Sequence, residues 1–156
     1  MKVNPKFSVF YAFFFHMAAW LAMGVAAFFM LAPAQAAPLT SAEEISIRSV
    51  VQGQLTALAQ DDAVKAFSFA APNVRQTVGT ARQFLALVRS SYPALYRPAS
   101  VAFLKPEEHH GQALQRVQVT DASGKAWLAA YSLQRQKDST WRITGCSVVA
   151  NEGRMA

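Results

Sequence analysis

Residues 127–149, WLAAYSLQRQKDSTWRITGCSVV, decide the fold, because two strand-forming stretches flank one polar turn. Side chains at alternate positions of a strand point to the same face of a sheet. In residues 127–135 the shared face carries Trp127, Ala129, Tyr131 and Leu133. In residues 141–149 it carries Trp141, Ile143, Gly145 and Ser147. We expect both faces to be buried against helices, and the turn at residues 137–139 predicts an antiparallel hairpin.

Two further strands are predicted before this hairpin. Residues 100–104 and 114–120 are rich in strand-forming side chains, and both stretches are short. Turn-forming residues fill the intervals at 107–111, where two Glu and two His precede a Gly, and at 121–124. The pattern predicts an antiparallel meander of about four strands.

Three helices are predicted ahead of the strands. Ser41 and Glu44 fit a capping box, in which the hydroxyl and the carboxylate each accept a backbone N–H at the helix start. Apolar residues at helical spacing then predict a helix to about residue 60, with Gln54 away from its buried face. Helices followed by an antiparallel sheet indicate an α+β domain whose helices cover one side of a curved sheet.

The other two helices are shorter. The second is expected over residues 63–70, capped by Asp61 or Asp62 and ended by Pro72. The third follows Thr80 and stops before Pro93. Its predicted buried side carries Phe84, Leu87 and Val88.

The first 36 residues have the pattern of an export signal. Two lysines lie within the first six positions, residues 7–31 are almost entirely apolar, and Ala34 and Ala36 frame a cleavage point. Cleavage predicts a mature chain that begins at Ala37 and is periplasmic or secreted. The alternative is an uncleaved anchor, because about 20 apolar residues span a bilayer. Either way we expect the domain, residues 37–150, to lie outside the cytoplasmic membrane, and residues 151–156 to form a flexible tail.

Composition excludes several classes of protein. About 120 residues after the leader suffice for one domain with its own core, but not for two. Without Lys2 and Lys6, thirteen basic and nine acidic residues give a formal charge of +4. The basic residues are scattered, so we expect no nucleic-acid partner. Cys146 is the only cysteine, which excludes an intrachain disulfide and a cysteine zinc cluster.

Three segments carry a resemblance to a known family. Residues 62–70, 84–92 and 141–146 are similar to an uncharacterised bacterial family, domain of unknown function 4864, and the similarity extends over residues 43–149. The order of elements resembles the cone-shaped fold of nuclear transport factor 2 (NTF2-like). The resemblance implies that fold, with an apolar pocket at one end of the cone, but no assigned reaction. Proteins with this fold include isomerases, dehydratases, ligand binders and dimerisation modules, so the fold does not choose among them.

The candidate site residues are few. An isomerase or dehydratase needs a base and an oxyanion donor on opposite sides of its substrate, and Asp62 (or Asp61) and Tyr131 are candidates for those roles. Both also fit structural roles, as a helix cap and a core aromatic. His109 and His110 are adjacent in sequence, so their side chains diverge, and we expect no metal. No activating base for Cys146 is evident.

The leading expectation is therefore an exported, non-catalytic binding or scaffold domain without a cofactor. Its partner would be a small apolar ligand or a protein, and it would form a homodimer through the outer face of the sheet. A small isomerase or dehydratase using Asp62 and Tyr131 is the first alternative. The second alternative is an accessory subunit of an envelope complex, anchored in the membrane through residues 7–31.

Overall fold

The computed structural model describes residues 38–151, in which four α-helices precede an antiparallel sheet of five strands. The helices are α1 (Ser41–Ala59), α2 (Ala63–Ser68), α3 (Pro72–Val78) and α4 (Ala81–Ser91), followed by a 3-10 turn at Pro93–Leu95. The strands are β1 (Ser100–Phe103), β2 (Glu107–His109), β3 (Gln112–Thr120), β4 (Ala126–Arg135) and β5 (Trp141–Ala150). The α+β class, with helices first and an antiparallel sheet after them, is confirmed.

The sheet is a single open layer. Its strand order is β1-β3-β4-β5, and β2 pairs with the part of β3 that β1 leaves free. Beyond β5, the segment after α2 continues the pairing: Ile143 N–H donates to the Phe69 carbonyl at 2.9 Å, and Ala71 N–H donates to the Ile143 carbonyl at 2.8 Å. This segment covers part of an edge that would otherwise expose unpaired backbone groups.

The hydrophobic core lies between the helices and one face of the sheet. Its largest fully buried apolar side chains come from α1 and from strands β3 and β4, and α4 closes the core from the side. The fully buried set includes Ile47, Val51, Leu58, Val117, Tyr131 and Leu133. The predicted face of β4 is confirmed, since Ala129, Tyr131 and Leu133 are buried and Trp127 is partly buried against the core.

The first helix begins one residue earlier than predicted. Thr40, not Ser41, is the N-cap: its hydroxyl accepts the Glu43 N–H at 3.3 Å, and the Glu43 carboxylate accepts the Thr40 N–H at 2.9 Å. Both pairs have the Ser/Thr-x-x-Glu spacing, so sequence alone could not choose between them. The prediction for Gln54 was also wrong: the residue is 4% exposed and lies on the buried face of α1, not away from it.

The number of helices differs from the expected three. Pro72 lies beyond the end of α2 at Ser68 and is the first residue of a separate helix, α3. Proline is well suited to the first turn because its missing N–H has no partner there and its φ is already helical. In α4, Phe84 and Val88 are buried as predicted, whereas Leu87 is 42% exposed.

A β-bulge changes the face of β5 that was predicted from alternation. Leu133 pairs with Ile143 while Ser132 pairs with Gly145, so Thr144 is an extra residue without a partner of its own. Past the bulge, Tyr131 is opposite Cys146 and Ala129 is opposite Val148. Trp141 and Ile143 are buried as predicted, but Cys146 and Val148 replace Gly145 and Ser147 on the core side.

The Glu-Glu-His-His-Gly segment was predicted to be a loop, and most of it is a short strand instead. Glu107, Glu108 and His109 pair with Leu114, Ala113 and Gln112 as β2. The turn is confined to His110 and Gly111, which have φ values of 51° and 78°. Glycine adopts this left-handed conformation without a steric penalty, and so permits the tight reversal.

Two predictions lie outside the described residues, namely the leader at residues 1–36 and the tail after residue 151. Between residues 38 and 151, no helix is long and apolar enough to cross a membrane.

Candidate functional site

A mostly apolar cavity of about 260 Å³ lies between α4, the segment around α3 and the β4–β5 hairpin. Its apolar lining comes mainly from α1, α3, α4, the 3-10 turn and β5, and includes Leu58, Val74, Phe84, Val88, Leu95 and Ile143. The polar lining consists of Gln54, Tyr92, Tyr131 and Cys146. Among the described residues around the cavity, none is Asp, Glu, Lys, Arg or His. The site can therefore hold an apolar body but offers no charged partner to a ligand.

The bulge in β5 determines which side chains of the hairpin reach the cavity. If β5 were regular through Thr144, alternation from Ile143 would place Cys146 on the outer face of the sheet. With the bulge at Thr144, Cys146 lies directly across the ladder from Tyr131, and both line the cavity. The backbone of Gly145 completes this wall.

The Tyr131 hydroxyl is buried without a well-formed hydrogen bond. The residue is 1% exposed, and no group in residues 38–151 has hydrogen-bond geometry to the hydroxyl oxygen; the Cys146 thiol is close enough to interact with it, but not in that geometry. Burial chiefly, and then the neighbouring Cys146 thiol, raise the pKa of Tyr131 well above its usual range. The phenol therefore keeps its proton at neutral pH and is available as a hydrogen-bond donor.

Cys146 is an unreactive thiol in this setting. Burial raises its pKa to about 12, so the nucleophilic thiolate is not formed at neutral pH. Its Sγ contacts the Ser147 carbonyl oxygen at 3.8 Å rather than a base.

Gln54 joins the cavity to the packing of α1 against α2. Its Nε2 donates to the Ala66 carbonyl oxygen at 3.2 Å, which fixes the amide at the floor of the cavity. At the preceding residue, a Cβ on Gly53 would lie 2.6 Å from the Phe69 ring. Glycine at that position lets the ring approach the helix, and a larger residue would push α1 away from the segment that holds Phe69.

The structure does not bring Asp62 together with Tyr131. Asp62 is the N-cap of α2 and accepts the Lys65 N–H at 2.9 Å, and it is not part of the cavity lining. Tyr131 does line the cavity. In this arrangement the carboxylate fills its backbone-capping role away from the pocket.

Asp61 belongs to a separate surface cluster. Its carboxylate forms ion pairs with Arg89 and Arg97 and accepts a hydrogen bond from the Tyr96 hydroxyl at 2.5 Å. Hydrogen bonds from Tyr96 and Arg89 are the main cause of its lowered pKa. The cluster connects the α1–α2 turn to the end of α4 and the following loop.

The two histidines are placed on β2 and the turn after it. His109 is exposed and lies 3.6 Å from the Glu107 carboxylate, and His110 occupies the turn itself. Within the described part of the chain, no three His, Cys, Asp or Glu side chains converge as a metal site.

Two more open grooves lie elsewhere on the domain. One, of about 500 Å³, is lined by charged residues that include Glu44, Lys105 and Glu107. The other, of about 440 Å³, runs between the outer side of α1 and the start of β5. The smaller cavity beside Tyr131 differs from both because its walls are largely buried core residues.

The chain matches a known protein family. The family model described as "Domain of unknown function (DUF4864)" matches residues 40–156, which is most of the chain. No curated protein matches the sequence.

Proposed function

Because the chain belongs to the DUF4864 family, whose description names no reaction, we propose its function from the cavity: the domain binds a small, largely apolar ligand between α4 and the sheet. The observation that carries this proposal is the cavity of about 260 Å³ with apolar walls. An apolar cavity of about 150 Å³ accommodates benzene, so this volume suits one substituted ring. Apolar burial would supply most of the affinity.

The geometry favours binding over catalysis. Proton abstraction beside a carbonyl needs a base within hydrogen-bond reach of the substrate. No carboxylate or imidazole in the described chain lines the cavity, and Asp62 is engaged as a helix cap. We therefore keep the non-catalytic binding domain as the proposal, and treat an isomerase or dehydratase using Asp62 and Tyr131 as the less supported alternative.

The fold and location are proposed on related grounds. Helices on one side of an antiparallel sheet, with a cavity between the layers, support the NTF2-like cone. The apolar leader with Ala34 and Ala36 supports export to the periplasm or beyond. Sequencing the N-terminus of the native protein tests this: Ala37 is expected, whereas an intact Met1 on membrane-bound protein would indicate the anchored alternative.

The binding proposal is tested by filling the cavity. Val74 lines it from α3, so Val74→Phe places a larger side chain against the ligand space. Val64, on α2, is 73% exposed and outside the cavity lining, which makes Val64→Phe the matched control. The probe is isopropylbenzene, a neutral hydrocarbon with one ring.

Isothermal titration calorimetry of the full chain gives the readout. The wild-type protein and Val64→Phe are expected to bind one equivalent of isopropylbenzene with affinities within about twofold. Val74→Phe is expected to bind at least ~10-fold more weakly, because the added ring occupies the same space. Absence of binding to the wild type, or equal binding to Val74→Phe, would contradict the proposal.

A further inference from the structure

We propose that the Tyr131 hydroxyl determines the specificity of the cavity, and that the ligand is a neutral compound with a ring-sized apolar body and one carbonyl-type oxygen that accepts this hydrogen bond. The inference rests on the proposed ligand-binding function and adds to it the chemistry of the ligand's polar end.

The first step is the unpartnered hydroxyl. Buried polar atoms in folded proteins are nearly always hydrogen-bonded, so each exception calls for a cause. In the described residues, three buried side-chain polar atoms lack a partner: Gln115 Oε1, Arg116 Nε and the Tyr131 hydroxyl oxygen. Of these three residues, Tyr131 is the one that lines the cavity. A ligand in the cavity would supply the partner that the protein does not.

The second step is the direction of the hydrogen bond. The acceptors around the cavity are the Gln54 amide oxygen, the Tyr92 hydroxyl and the weakly accepting Cys146 thiol, and none of them has hydrogen-bond geometry to the Tyr131 hydroxyl. Most of the rest of the wall is apolar. The phenolic O–H therefore has a proton to donate and no well-placed acceptor in the described wall. The complementary group on the ligand is an acceptor oxygen.

The third step is the charge of the ligand. A carboxylate would accept the same hydrogen bond, but transferring an unpaired charge from water into an apolar site is strongly unfavourable. No described Lys, Arg or His lines the cavity to compensate that charge. A ketone, aldehyde, ester or amide oxygen meets the requirement without the desolvation penalty of an anion.

Three probes of equal heavy-atom count separate these features. Acetophenone carries the acceptor, isopropylbenzene replaces its carbonyl oxygen with a methyl group, and benzoate carries an anionic acceptor. Each is titrated calorimetrically into the full-length wild type, Tyr131→Phe and Tyr96→Phe. Tyr96 lies outside the cavity lining and its hydroxyl donates to Asp61, so Tyr96→Phe loses a hydroxyl elsewhere and is the matched control.

The wild type and Tyr96→Phe are expected to bind acetophenone about 3- to 10-fold more tightly than isopropylbenzene, which is the range of one neutral hydrogen bond. Tyr131→Phe is expected to lose this preference while its affinity for isopropylbenzene stays within about twofold. Benzoate is expected to bind the wild type at least ~10-fold more weakly than acetophenone.

Three results would overturn the inference. Equal binding of acetophenone and isopropylbenzene by the wild type would remove the polar specificity, although the proposed binding function would stand. A preference for acetophenone that survives in Tyr131→Phe would assign the hydrogen bond to another group. Failure of all three probes to bind the wild type would contradict the proposed function and this inference together.

Discussion

Replacing Tyr131 with Phe removes one buried oxygen atom and leaves the ring in the core. A buried hydroxyl without a partner destabilises the fold by roughly 1–3 kcal/mol relative to a satisfied one. Removing the oxygen also removes its van der Waals contacts, and each lost contact with a neighbouring atom lowers stability by about 0.1–0.2 kcal/mol. This loss opposes the gain from removing the unpartnered hydroxyl. Because the hydroxyl is unpartnered and the residue is 1% exposed, we expect Tyr131→Phe to raise the free energy of unfolding by about 1 kcal/mol.

Urea denaturation followed by tryptophan fluorescence measures this change. Trp127 and Trp141 both pack with the core and neither is altered by the substitution. The midpoint is expected to move to higher urea with an unchanged slope, since the surface exposed on unfolding stays the same. For a domain of this size the melting temperature is expected to rise by about 4 °C.

Tyr96→Phe is the control for loss of a hydroxyl. The Tyr96 hydroxyl donates to Asp61 and accepts from Arg89 at 3.1 Å, so its removal is expected to lower stability. If Tyr131→Phe instead destabilised the protein by more than about 1 kcal/mol, the hydroxyl would have to be satisfied in the folded protein. That result would refute the reasoning from an unpartnered donor.

Three further predictions concern the packing and the charges of the domain. Trp141→Ala is expected to destabilise the fold by about 3–5 kcal/mol in the same urea assay, because its side chain is 8% exposed against the core; a loss below ~1 kcal/mol would contradict that packing. Asp62→Asn is expected to change stability little, whereas Asp62→Ala costs about 0.5–2 kcal/mol by removing the cap on Lys65 N–H; equal effects would rule out the cap. The free energy of unfolding is expected to keep its full value below pH 9 and to fall as the pH rises toward 12. Burial raises the pKa values of Cys146 and Tyr131, so the folded state keeps protons that the unfolded state releases. In Cys146→Ala the fall should begin nearer pH 10, and an unchanged onset would argue against the buried thiol.

The sequence pattern predicted correctly the helices and strands that keep one regular hydrophobic period along their length. The strand β4 and its buried face follow from alternation of Ala129, Tyr131 and Leu133, and α4 follows from its polar start and its apolar stripe. These elements keep one period from end to end, so the sequence pattern and the packing agree.

The bulge in β5 could not be located by the same reasoning. Counting by twos assumes an uninterrupted strand, and one additional residue, Thr144, inverts every face after it. Glycine within a strand, as at position 145, often marks a bulge, but it does not identify which residue is the unpaired one. The placement of Cys146 opposite Tyr131 therefore had to come from the structure.

The cavity also lay beyond the sequence patterns, because it is formed by residues that are distant along the chain. Gln54 lies in α1, Val74 in α3 and Tyr131 in β4, and only packing brings them together. The spacing of Gln54 after Val51 and before Leu58 places it on the buried stripe, which was the available signal for its position. Its polarity led to the opposite prediction.

The location of a bound probe is the most direct measurement of ligand binding by this domain. Intermolecular nuclear Overhauser effects between acetophenone ring protons and methyl groups of the isotope-labelled full chain would identify the residues in contact. We expect contacts to Val74, Val88 and Ile143, all of which line the cavity. Contacts confined to Ile45 and Val64, which are exposed outside it, or no contacts at saturating probe, would contradict a ligand site beside Tyr131.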